Sequence, residues 1–591
     1  AALEVLINDF DASVAEALPP ASKLYSENTL MEALNGKANC LIAMNKKEAA
    51  LEAFFLLFEV QKKLRFEFFS SSAKQQQQQE SRQWTEQALE TAYALWKETG
   101  KEGFAMKALE FSEISKSQLL LDEMIKNLHY SRLKTQDSLL DEQFRLMQAV
   151  IYAEKTEVTA ADPTSFSAIR KELNYKLSLL QNEVKKKYPS LENLLAQQTN
   201  LSAGSLLNAI PGNTAVIEFF LGKKRLYRFV AIQNKMVTID TIADAGNVAT
   251  SILNFSNHYF QSGFKNISEN LSKYYADAHQ LYKILWPKQQ AQNLIVIPDG
   301  VIGFLAFDAL ITDSSYTPNI SAWPFLVKAA NIYSAYSLQT WHQQKQGRKN
   351  GKQFSGYFIS FENTEESIPA VKEEYNRISK FVKGNFIAEK KATLKQFKFD
   401  LKDANVLHVS THGSLYGEEK IPALKLADDR FFLFELYGQS FNPQLVVLSA
   451  CRTGDGLLAE GEGVISLARG FTAAGAGGII AGLWNLNDEA TAEIIGNFYR
   501  GLTKKQLPAV ALRNAKLDWL KSTEVDPNQK LPYYWAALNY YGNNELVELP
   551  VKNRNFLLLL AGSVIVVTAA AVTIGRKRMA GSKKVRYTNL N

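Results

Sequence analysis

Cysteine is scarce in this chain of 591 residues, in which Cys40 and Cys451 are the two that occur. They fall in regions with different hydrophobic patterns, so we expect no disulfide between them, and so few cysteines do not indicate a redox compartment. A strong charge of one sign is also lacking, because 67 basic residues against 60 acidic residues leave a formal net charge of +7. Outside residues 576–591 the chain has no basic footprint of the kind expected for nucleic-acid binding, and we predict no nucleic-acid partner.

Signatures of cofactor chemistry are missing as well. The sequence contains no metal-ligand cluster, no phosphate-binding glycine loop and no dinucleotide fingerprint, so we predict no cofactor. Nor does it begin with a methionine or a leader peptide. Its start, Ala-Ala-Leu-Glu, indicates a fragment or a processed chain from which a signal peptide could have been removed. With 591 residues, 46% of them hydrophobic and 21% charged, the chain is expected to fold into several domains.

Two short apolar runs are notable because each ends in a reactive side chain. Residues 406–413 read Val-Leu-His-Val-Ser-Thr-His-Gly, and residues 445–454 read Leu-Val-Val-Leu-Ser-Ala-Cys-Arg-Thr-Gly. Apolar runs of this length that stop at a glycine turn are typical of buried parallel strands. Ligands and chemistry collect at the carboxyl ends of such strands, so we expect His412 and Cys451 to meet across adjacent strands.

A cysteine and a histidine at one site form a nucleophile and its acid–base partner. The thiolate attacks a carbonyl group, while the imidazolium lowers the pKa of the thiol and later protonates the leaving amine. Backbone N–H groups of Gly413 and of the turn at Cys451 are predicted to hold the oxyanion. His408 lies on the same face as His412 but deeper in the strand, which predicts a buried structural histidine. Either reactive residue alone is more often structural than catalytic, so the hypothesis depends on the pair.

Further motifs surround this pair and follow it. They are Thr-His-Gly at 411–413, Ser-Ala-Cys at 449–451, Thr-Gly at 453–454, Glu-Gly-Val at 462–464, Gly-Leu-Trp at 482–484 and Asp-Glu-Ala-Thr at 488–491. In this order the region resembles the CHAT family, caspase-like cysteine peptidases that are related to separases and are usually fused to tetratricopeptide repeats. The resemblance extends over residues 190–545. It implies that Cys451 and His412 are the catalytic dyad and that residues 532–538 form a closing strand.

The first third of the chain has helical periodicity. In residues 1–136, small and apolar residues recur at three- and four-residue spacing, which predicts helices packed in pairs as tetratricopeptide-like repeats, or else a generic helical bundle. The run of five glutamines within residues 74–80 is predicted to be an exposed loop or helix extension. Residues 137–190 are charged and leucine-spaced, and they predict two antiparallel helices that form a coiled-coil-like arm.

The periodicity then changes to that of short strands. Residues 191–345 contain three strand-like runs followed by helical segments, and they resemble the inactive subdomain that the family places before the active one. No cysteine occurs in this half, so it is expected to support the other. In residues 346–550 strands alternate with helices, which predicts the active caspase-like subdomain with a doubly wound parallel sheet.

Acidic residues near Cys451 are candidates for a substrate pocket. Asp488 follows the strand that we expect beside the Cys451 strand, where it could receive a basic side chain of the substrate, as in separases. Alternatively, Asp488 caps the helix that starts at Ala490. Asp455 and Glu460, in the loop after Cys451, are further candidates of the same kind.

Near the C-terminal end, residues 555–575 form a run of 21 residues without a charged side chain. As a helix with a rise of ~1.5 Å per residue, this run would be roughly 31 Å long, close to the thickness of a bilayer core. We therefore predict one transmembrane helix, with a buried core helix as the alternative. The basic residues 576–591 then form a cytoplasmic tail, which places the peptidase on the other side of the membrane. The alternative topology is a tail-anchored protein with a cytoplasmic peptidase domain.

The predicted fold is thus a helical repeat region, a caspase-like α/β region of two subdomains and a transmembrane helix. The predicted function is that of a membrane-anchored cysteine endopeptidase, which acts on a protein or peptide substrate and is activated by a protein bound to the repeats. Two other functions stay open. One is a non-enzymatic adaptor built on the same fold, and the other is a different acyl-transfer enzyme with the same dyad.

Overall fold

A helical region forms the first part of the chain. The computed structural model describes residues 2–552, apart from residues 9, 12, 68–70, 134–136, 161–163, 189–200, 233–234, 289–290, 346–352, 438 and 440. The helices of the first region are α1 (Ala2–Leu6), α2 (Asn28–Ala43), α3 (Lys47–Glu67), α4 (Ser71–Thr99), α5 (Glu102–Ile114), α6 (Gln118–Leu133), α7 (Ser138–Thr159) and α8 (Thr164–Lys187). The prediction that this region is helical is confirmed.

Small side chains let these helices pack closely. Ala38 of α2 is fully buried, and so are Ala50 and Ala53 of α3, the helix that packs against α2. Ala88 of α4 and Ala105 of α5 are buried in the same way where that pair meets. Helices approach most closely where the facing residues are small. The paired packing agrees with the sequence pattern, and its assignment to tetratricopeptide-like repeats stays a prediction.

The run of glutamines lies within α4 and not in a loop. Gln77 and Gln78 are buried, and Gln78 Nε2 donates to the carbonyl of Ser115 at 2.9 Å. Glutamine is a good helix former, so a helix is no surprise. Of the two alternatives, the helix extension is correct, but its exposure was wrongly predicted for these two side chains.

α7 and α8 are packed side by side, in the region predicted to form an arm. Lys187, at the end of α8, forms an ion pair with Asp137 at 2.6 Å. Asp137 is the N-cap of α7, where its side chain accepts from the N–H of Leu139. The start of one helix therefore meets the end of the other, and the two run antiparallel.

The rest of the described chain is built around β-strands. In chain order these are β1 (Thr214–Leu221), β2 (Arg225–Ile232), β3 (Lys235–Ala243), β4 (Asn293–Ile297), β5 (Asn331–Ser334), β6 (Phe354–Phe358), β7 (Asn385–Ala388), β8 (Val406–Ser410), β9 (Gly413–Tyr416), β10 (Ile421–Lys425), β11 (Arg430–Phe432), β12 (Leu445–Ser449), β13 (Leu457–Ala459), β14 (Gly463–Ile465), β15 (Gly478–Gly482) and β16 (Leu538–Gly542). Eleven of them form one sheet in the order β3-β2-β1-β4-β5-β16-β15-β12-β8-β6-β7. β11-β10-β9 form a small antiparallel sheet, and β13 pairs with β14.

The large sheet is mixed. β1, β2 and β3 form an antiparallel ladder, because the turns that join them are too short for a parallel crossover. β16 is antiparallel to β15 and parallel to β5. The prediction of a doubly wound parallel sheet is therefore wrong for the sheet as a whole, although β7, β6, β8, β12 and β15 run parallel to one another.

The closing strand begins later than predicted. Residues Pro532–Trp535 form a short helix, with Pro532 in its first turn, and β16 starts at Leu538. A proline suits the start of a helix because its missing N–H has no partner there in any case. From this late position in the sequence, β16 enters the middle of the sheet and joins β5 to β15.

Helices cover both faces of the sheet. They are α9 (Ala203–Asn208), α10 (Ala245–Ser256), α11 (Lys265–Glu269), α12 (Leu271–Leu285), α13 (Leu326–Ala329), α14 (Leu338–Gln343), α15 (Ala370–Ser379), α16 (Leu394–Asp400), α17 (Leu467–Ala473), α18 (Asp488–Thr503), α19 (Pro508–Lys521) and α20 (Pro532–Trp535). Around β8 and β12, residues of α15 and α18 join the core on one face, and residues of α16 and α17 join the core on the other. Both strands are buried along their whole length, as their continuous apolar sequences predict.

The membrane predictions need correction. In the part of the chain that the structure describes, no helix is both long and apolar enough to cross a bilayer. The long helices α4, α7 and α8 carry charged side chains along their length. The predicted span, residues 555–575, and the predicted tail, residues 576–591, lie outside the described residues. The transmembrane helix, the membrane as a partner and the single-pass topology are therefore not supported, because an uncharged run in a sequence does not by itself establish a spanning helix.

Candidate active site

The strands that lead to the two predicted catalytic residues are direct neighbours. β8 and β12 pair in parallel, with Ser410 opposite Ser449 at their last residues. The pairing extends past the strands, because the N–H of Thr411 donates to the carbonyl of Ser449 at 3.4 Å. His412 and Cys451 follow directly, each two residues beyond its strand. The two residues thus lie at the same edge of the sheet, as the sequence predicts, while their catalytic roles stay predictions.

Gly413 brings the two segments into contact. A Cβ atom at this position would overlap the carbonyl oxygen of Cys451, so a larger residue could not approach as closely. The N–H of Lys425 donates to the carbonyl of His412 at 2.9 Å. Since hydrogen bonding alternates along antiparallel strands, the next N–H, that of Gly413, points away from β10. β9 is an edge strand of its small sheet, so this N–H is on the side where an oxyanion could accept from it.

His412 is held in one orientation by the loop that follows β6. Its Nε2 lies 2.7 Å from the carbonyl oxygen of Glu366, and its ring stacks on Phe361 with 5.2 Å between centroids. A carbonyl oxygen only accepts hydrogen bonds, so Nε2 carries the proton and Nδ1 is left to act as a base. Lys425 contacts the same loop through an ion pair with Glu366 and through the ring of Phe361, 4.8 Å from its Nζ.

Sequence reasoning missed Phe361 and Glu366. Both lie in the loop after β6, the strand beside β8. The residues themselves form no recognisable motif, and the order of the strands is the information that places them beside His412.

The environment of Cys451 favours the thiol over the thiolate. The side chain is half-buried, and burial, aided by the carboxylate of Asp488, raises its pKa, against the effects of the Leu486 N–H and the Arg452 guanidinium. The sequence-based expectation of a lowered thiol pKa is therefore not met in this conformation. A raised pKa keeps most of the sulfur protonated near neutral pH.

Asp488 is close to both members of the pair. The pKa of Asp488 is raised, chiefly because burial disfavours the charged carboxylate. The charge of His412 lowers this pKa, and that of Glu374 raises it. The side chain nevertheless reaches solvent. It is not the cap of α18, because Asn487 occupies that position and accepts from the N–H of Ala490 at 3.0 Å. The capping alternative for Asp488 is thus wrong, and its exposed carboxylate instead interacts electrostatically with His412 and Cys451.

The other two acidic candidates have different surroundings. Asp455 is buried and forms an ion pair with Arg452 at 2.6 Å. Glu460 is half-exposed and lies 3.6 Å from Arg82 of α4. Neither arrangement directs a free carboxylate toward Cys451, so Asp488 is the acidic candidate that the structure favours.

Aromatic residues form another side of the site. The Cys451 sulfur is close enough to Tyr533 to contribute to the raised pKa of that phenol, whose main cause is burial. Tyr533 packs near Tyr534 and Phe264, with centroids 5.7 and 6.2 Å away. Trp484 stacks on Phe260 at 4.1 Å. Residues from the predicted inactive half therefore contribute to the wall beside Cys451.

A buried polar cluster lies beneath the strand ends. Glu374 of α15 is 2% exposed and contacts the hydroxyl groups of Ser410 and Ser449. His408 is fully buried and lies between Glu374 and Tyr499, which agrees with its prediction as a structural histidine. Sequence reasoning missed Glu374. The available signal was an acidic residue at core spacing, since the other buried residues of α15 are Val371 and Ile378.

The loop after Cys451 is anchored to the helical region. The N–H of Ser117 donates to the carbonyl of Gly461 at 2.7 Å, and Gln78 Nε2 lies 3.3 Å from the same oxygen. Glu462 is fully buried, accepts from the N–H of Leu119 at 3.0 Å and forms an ion pair with Arg469. These contacts tie the β13–β14 hairpin to α4 and α6. A shift of either helix would therefore move the hairpin.

The segment after His412 is anchored to the same region through α7. Ile151 packs in one apolar cluster with Ala423, Phe432 and Phe434 of the small sheet and its flanking turn. Lys155 donates to the carbonyl of Arg430 at 2.8 Å. The helical region thus contacts both the segment that follows His412 and the segment that follows Cys451.

Metal ligands are not gathered at this site. Within the described ranges, no group of three or more His, Cys, Asp or Glu side chains is placed to hold a metal ion. The polar groups around Cys451 instead suit acyl chemistry, which needs a nucleophile, a base and N–H donors.

The structure was also compared with solved structures of other proteins. The structure is similar to that of the complex of the pro- and mature domains of RgpB from Porphyromonas gingivalis, with a TM-score of 0.30, 13% identity and coverage of 51% of this chain and 77% of that chain. It is also similar to the separase–securin complex of Saccharomyces cerevisiae, with a TM-score of 0.38, 10% identity and coverage of 87% of this chain and 52% of that chain. At such values the likeness assigns no residue and no activity.

Sequence comparison is more specific for part of the chain. A comparison with curated proteins gave no match. The family model described as the CHAT domain matches residues 276–543, from α12 to the end of β16. This range includes β8, β12 and the segments that follow them, with His412 and Cys451. The match covers residues 276–543, which is less than half of the 591-residue chain, so the CHAT domain is what this region is similar to.

Proposed function

We propose that the protein is a cysteine endopeptidase in which Cys451 is the nucleophile and His412 is the base. The observation that carries this proposal is the parallel pairing of β8 and β12, which brings both residues to one edge of the sheet. The hydrogen bond from His412 Nε2 to the carbonyl of Glu366 supports it, because that bond leaves Nδ1 as the basic nitrogen.

Each step of the proposed reaction uses a group already described. Nδ1 of His412 takes the proton of the Cys451 thiol, and the sulfur attacks the carbonyl carbon of the scissile peptide bond. The oxyanion that forms accepts hydrogen bonds from the N–H groups of Gly413 and Cys451. His412 then gives its proton to the leaving amine, the C–N bond breaks and an acyl-enzyme remains. Water, deprotonated by His412, hydrolyses the thioester and restores the thiol.

Asp488 supplies a basis for substrate preference. Its carboxylate reaches solvent and interacts electrostatically with both His412 and Cys451. An acidic group in this position would favour a substrate with lysine or arginine before the scissile bond. The substrate class that follows is a protein or peptide cleaved after a basic residue.

Regulation by a protein partner follows from the contacts of the helical region. α4 and α6 hold the segment after Cys451, and α7 holds the segment after His412. A partner that changes the packing of these helices would move both segments together. The raised pKa of Cys451 in the present conformation supports a resting state, from which such a partner activates the enzyme.

The same raised pKa is what a non-enzymatic adaptor would show. In that second candidate function, the CHAT domain serves as a docking module and Cys451 is an ordinary half-buried cysteine. The two functions differ in their dependence on His412, since an adaptor has no need of a base beside its cysteine.

The proposal is tested by substitution of the two residues. We expect Cys451→Ala to abolish cleavage of peptides that contain lysine or arginine, and His412→Ala to slow both cleavage and alkylation of Cys451 by iodoacetamide at pH 7. Cys40→Ser is the matched control, because Cys40 is exposed and lies outside the CHAT domain. Cleavage retained by Cys451→Ala, or alkylation of Cys451 that does not respond to His412→Ala, would contradict the dyad.

A further inference from the structure

A single buried carboxylate joins the ends of the two strands that carry the reactive residues. Oε2 of Glu374 accepts hydrogen bonds from the hydroxyl of Ser410 at 2.7 Å and from that of Ser449 at 3.0 Å. Ser410 is the last residue of β8 and Ser449 the last of β12, and the two are paired in register. One oxygen atom on α15 therefore contacts both strands at their final residues.

The other oxygen of this carboxylate faces His408. His408 Nε2 lies 3.3 Å from Oε1 of Glu374, and its Nδ1 lies 3.2 Å from the hydroxyl of Tyr499. This 3.3 Å contact does not have the geometry of a hydrogen bond, because neither His408 Nε2 nor Oε1 of Glu374 has a hydrogen-bond partner among the described residues. Phe358 stacks on the imidazole at 5.0 Å. Oε2 of Glu374 is thus hydrogen-bonded to both strands, while Oε1 is buried against His408.

Burial of a carboxylate here is costly for stability. Glu374 is 2% exposed, His408 is fully buried, and apolar residues such as Val447 and Val371 surround them in the core. A buried ionic group must be hydrogen-bonded merely to offset the loss of hydration, and apolar residues of similar volume often serve stability as well or better. Packing alone therefore does not explain an acid at this position.

We propose that Glu374 is a positioning residue that sets the separation of His412 and Cys451. Each reactive residue lies two positions beyond a serine bound to the same oxygen, so the hydrogen bonds fix the relative register of the last peptide units of the two strands. The proposal rests on the function proposed above, because a fixed separation matters only if the two residues react together. Misplacement of a reacting group by about 1 Å can cost on the order of 100-fold in rate.

The experiment is a double-mutant cycle read by alkylation of Cys451. The rate of reaction of Cys451 with iodoacetamide at pH 7 is followed by mass spectrometry in the full chain, which separates it from the exposed Cys40. The four proteins are the wild type, His412→Ala, Glu374→Gln and the double variant. We expect His412→Ala to slow alkylation by about fivefold or more in the wild type and by less than about twofold in the Glu374→Gln background.

Glu373→Gln is the matched control. Glu373 precedes Glu374 on the same helix but is half-exposed, where it pairs with Arg377 at 2.9 Å. In the Glu373→Gln background the effect of His412→Ala should stay as large as in the wild type. A general loss of stability in α15 would not reproduce this difference between neighbouring glutamates.

Each outcome decides between the hypotheses. An equal effect of His412→Ala in the Glu374→Gln and wild-type backgrounds would overturn the positioning role alone. No effect of His412→Ala in the wild type would overturn the dyad, and the positioning role with it. If Glu374→Gln does not fold, Ser410→Ala and Ser449→Ala take its place in the cycle and are judged by the same criteria, because each removes one hydrogen bond to Glu374.

Discussion

The thiol of Cys451 is subject to opposing influences. Burial and the carboxylate of Asp488 hold the proton on the sulfur, while the N–H of Leu486 and the guanidinium of Arg452 favour its loss. The first pair prevails, so the pKa is raised. A free cysteine is only a few per cent thiolate at neutral pH. We expect the thiolate fraction of Cys451 to be smaller than that in this conformation.

This balance predicts how alkylation of Cys451 depends on pH. Because a raised pKa keeps the proton on until a higher pH is reached, the alkylation profile should lie at higher pH than that of a free cysteine. Asp488→Asn removes a negative charge next to the sulfur, so the profile should move to lower pH, while cleavage after basic residues is lost. Iodoacetamide kinetics between pH 6 and 10 measure the first effect and peptide assays the second. Glu493→Gln, five residues further along α18, is the control, and a profile unchanged by Asp488→Asn would count against this role.

Gly413 is the second residue at which a small change should have a large effect. In Gly413→Ala the new methyl group would overlap the carbonyl oxygen of Cys451, so the two segments must separate and the N–H of residue 413 must move. We expect cleavage to fall by about 100-fold or more, as for the loss of an oxyanion donor. The comparison is Gly212→Ala, because a Cβ atom at Gly212 meets nothing within 4 Å. Equal activities of the two variants would show that the contact is not needed.

The anchored hairpin of β13 and β14 is the element through which the helical region reaches Cys451. Gln78 is buried in α4 and its amide lies between the carbonyls of Ser115 and Gly461. Gln76 lies on the same helix but is exposed, where it bonds to Glu80. The two glutamines therefore differ in environment but not in chemistry.

Loss of the inner glutamine should loosen the hairpin. We expect Gln78→Ala to increase hydrogen–deuterium exchange over residues 457–465 and to raise the basal cleavage rate, since one anchor of the resting position is lost. Gln76→Ala should change neither quantity. Faster exchange without any gain in cleavage would separate the hairpin from regulation, and unchanged exchange would remove Gln78 from the anchor.

Strands and helices differ in how well the sequence predicts them. The runs at β8 and β12 are continuous and apolar because helices cover both faces of the sheet, so their burial and parallel pairing could be predicted. The position of β16 could not, because pairing between residues far apart in the chain leaves no local pattern. Tyr533, Tyr534 and Trp535 have the composition of a strand, yet Pro532 starts a helix there.

The site shows the same division. His412 and Cys451 are predictable because each ends an apolar run, which is a local signal. Phe361, Glu366 and Tyr533 come from other parts of the chain, and only the folded arrangement brings them to the site. Asn487 rather than Asp488 caps α18, a distinction of one residue that propensities do not resolve because both residue types are good caps.

At the scale of the whole molecule, buried ion pairs connect regions that are distant in sequence. Lys516 of α19 lies 2.5 Å from Asp308, and the two side chains are only 1% and 9% exposed. Asp308 belongs to the segment between β4 and β5, on the far side of β16 from β12 and β8. This pair therefore links the two predicted subdomains.

Removal of one partner should destabilise the protein as a whole. Asp308→Ala leaves the Lys516 ammonium buried without its counter-ion, so we expect a loss of about 3–5 kcal/mol in the free energy of unfolding. Urea denaturation measures this loss in the free energy of unfolding. The control is Asp313→Ala, because Asp313 is an exposed acid in the same segment. This substitution should cost less than about 1 kcal/mol. Adding Lys516→Met to Asp308→Ala should recover part of the loss. Similar losses for Asp308→Ala and Asp313→Ala would mean that the buried pair does not support the fold.

The place of β16 in the sheet has a consequence for the order of events on the ribosome. Of the strands in the described part of the chain, β16 is the last to be synthesised, and it lies between β5 and β15. Until residue 542 has left the exit tunnel, β16 cannot join β5 to β15, so the edges of these two strands that pair with β16 stay open. The nascent chain thus contains His412 and Cys451 long before the scaffold that aligns them is complete. For the peptidase proposed above, activity would arise only after residue 542 has emerged, so the growing polypeptide would not be exposed to its own proposed active site.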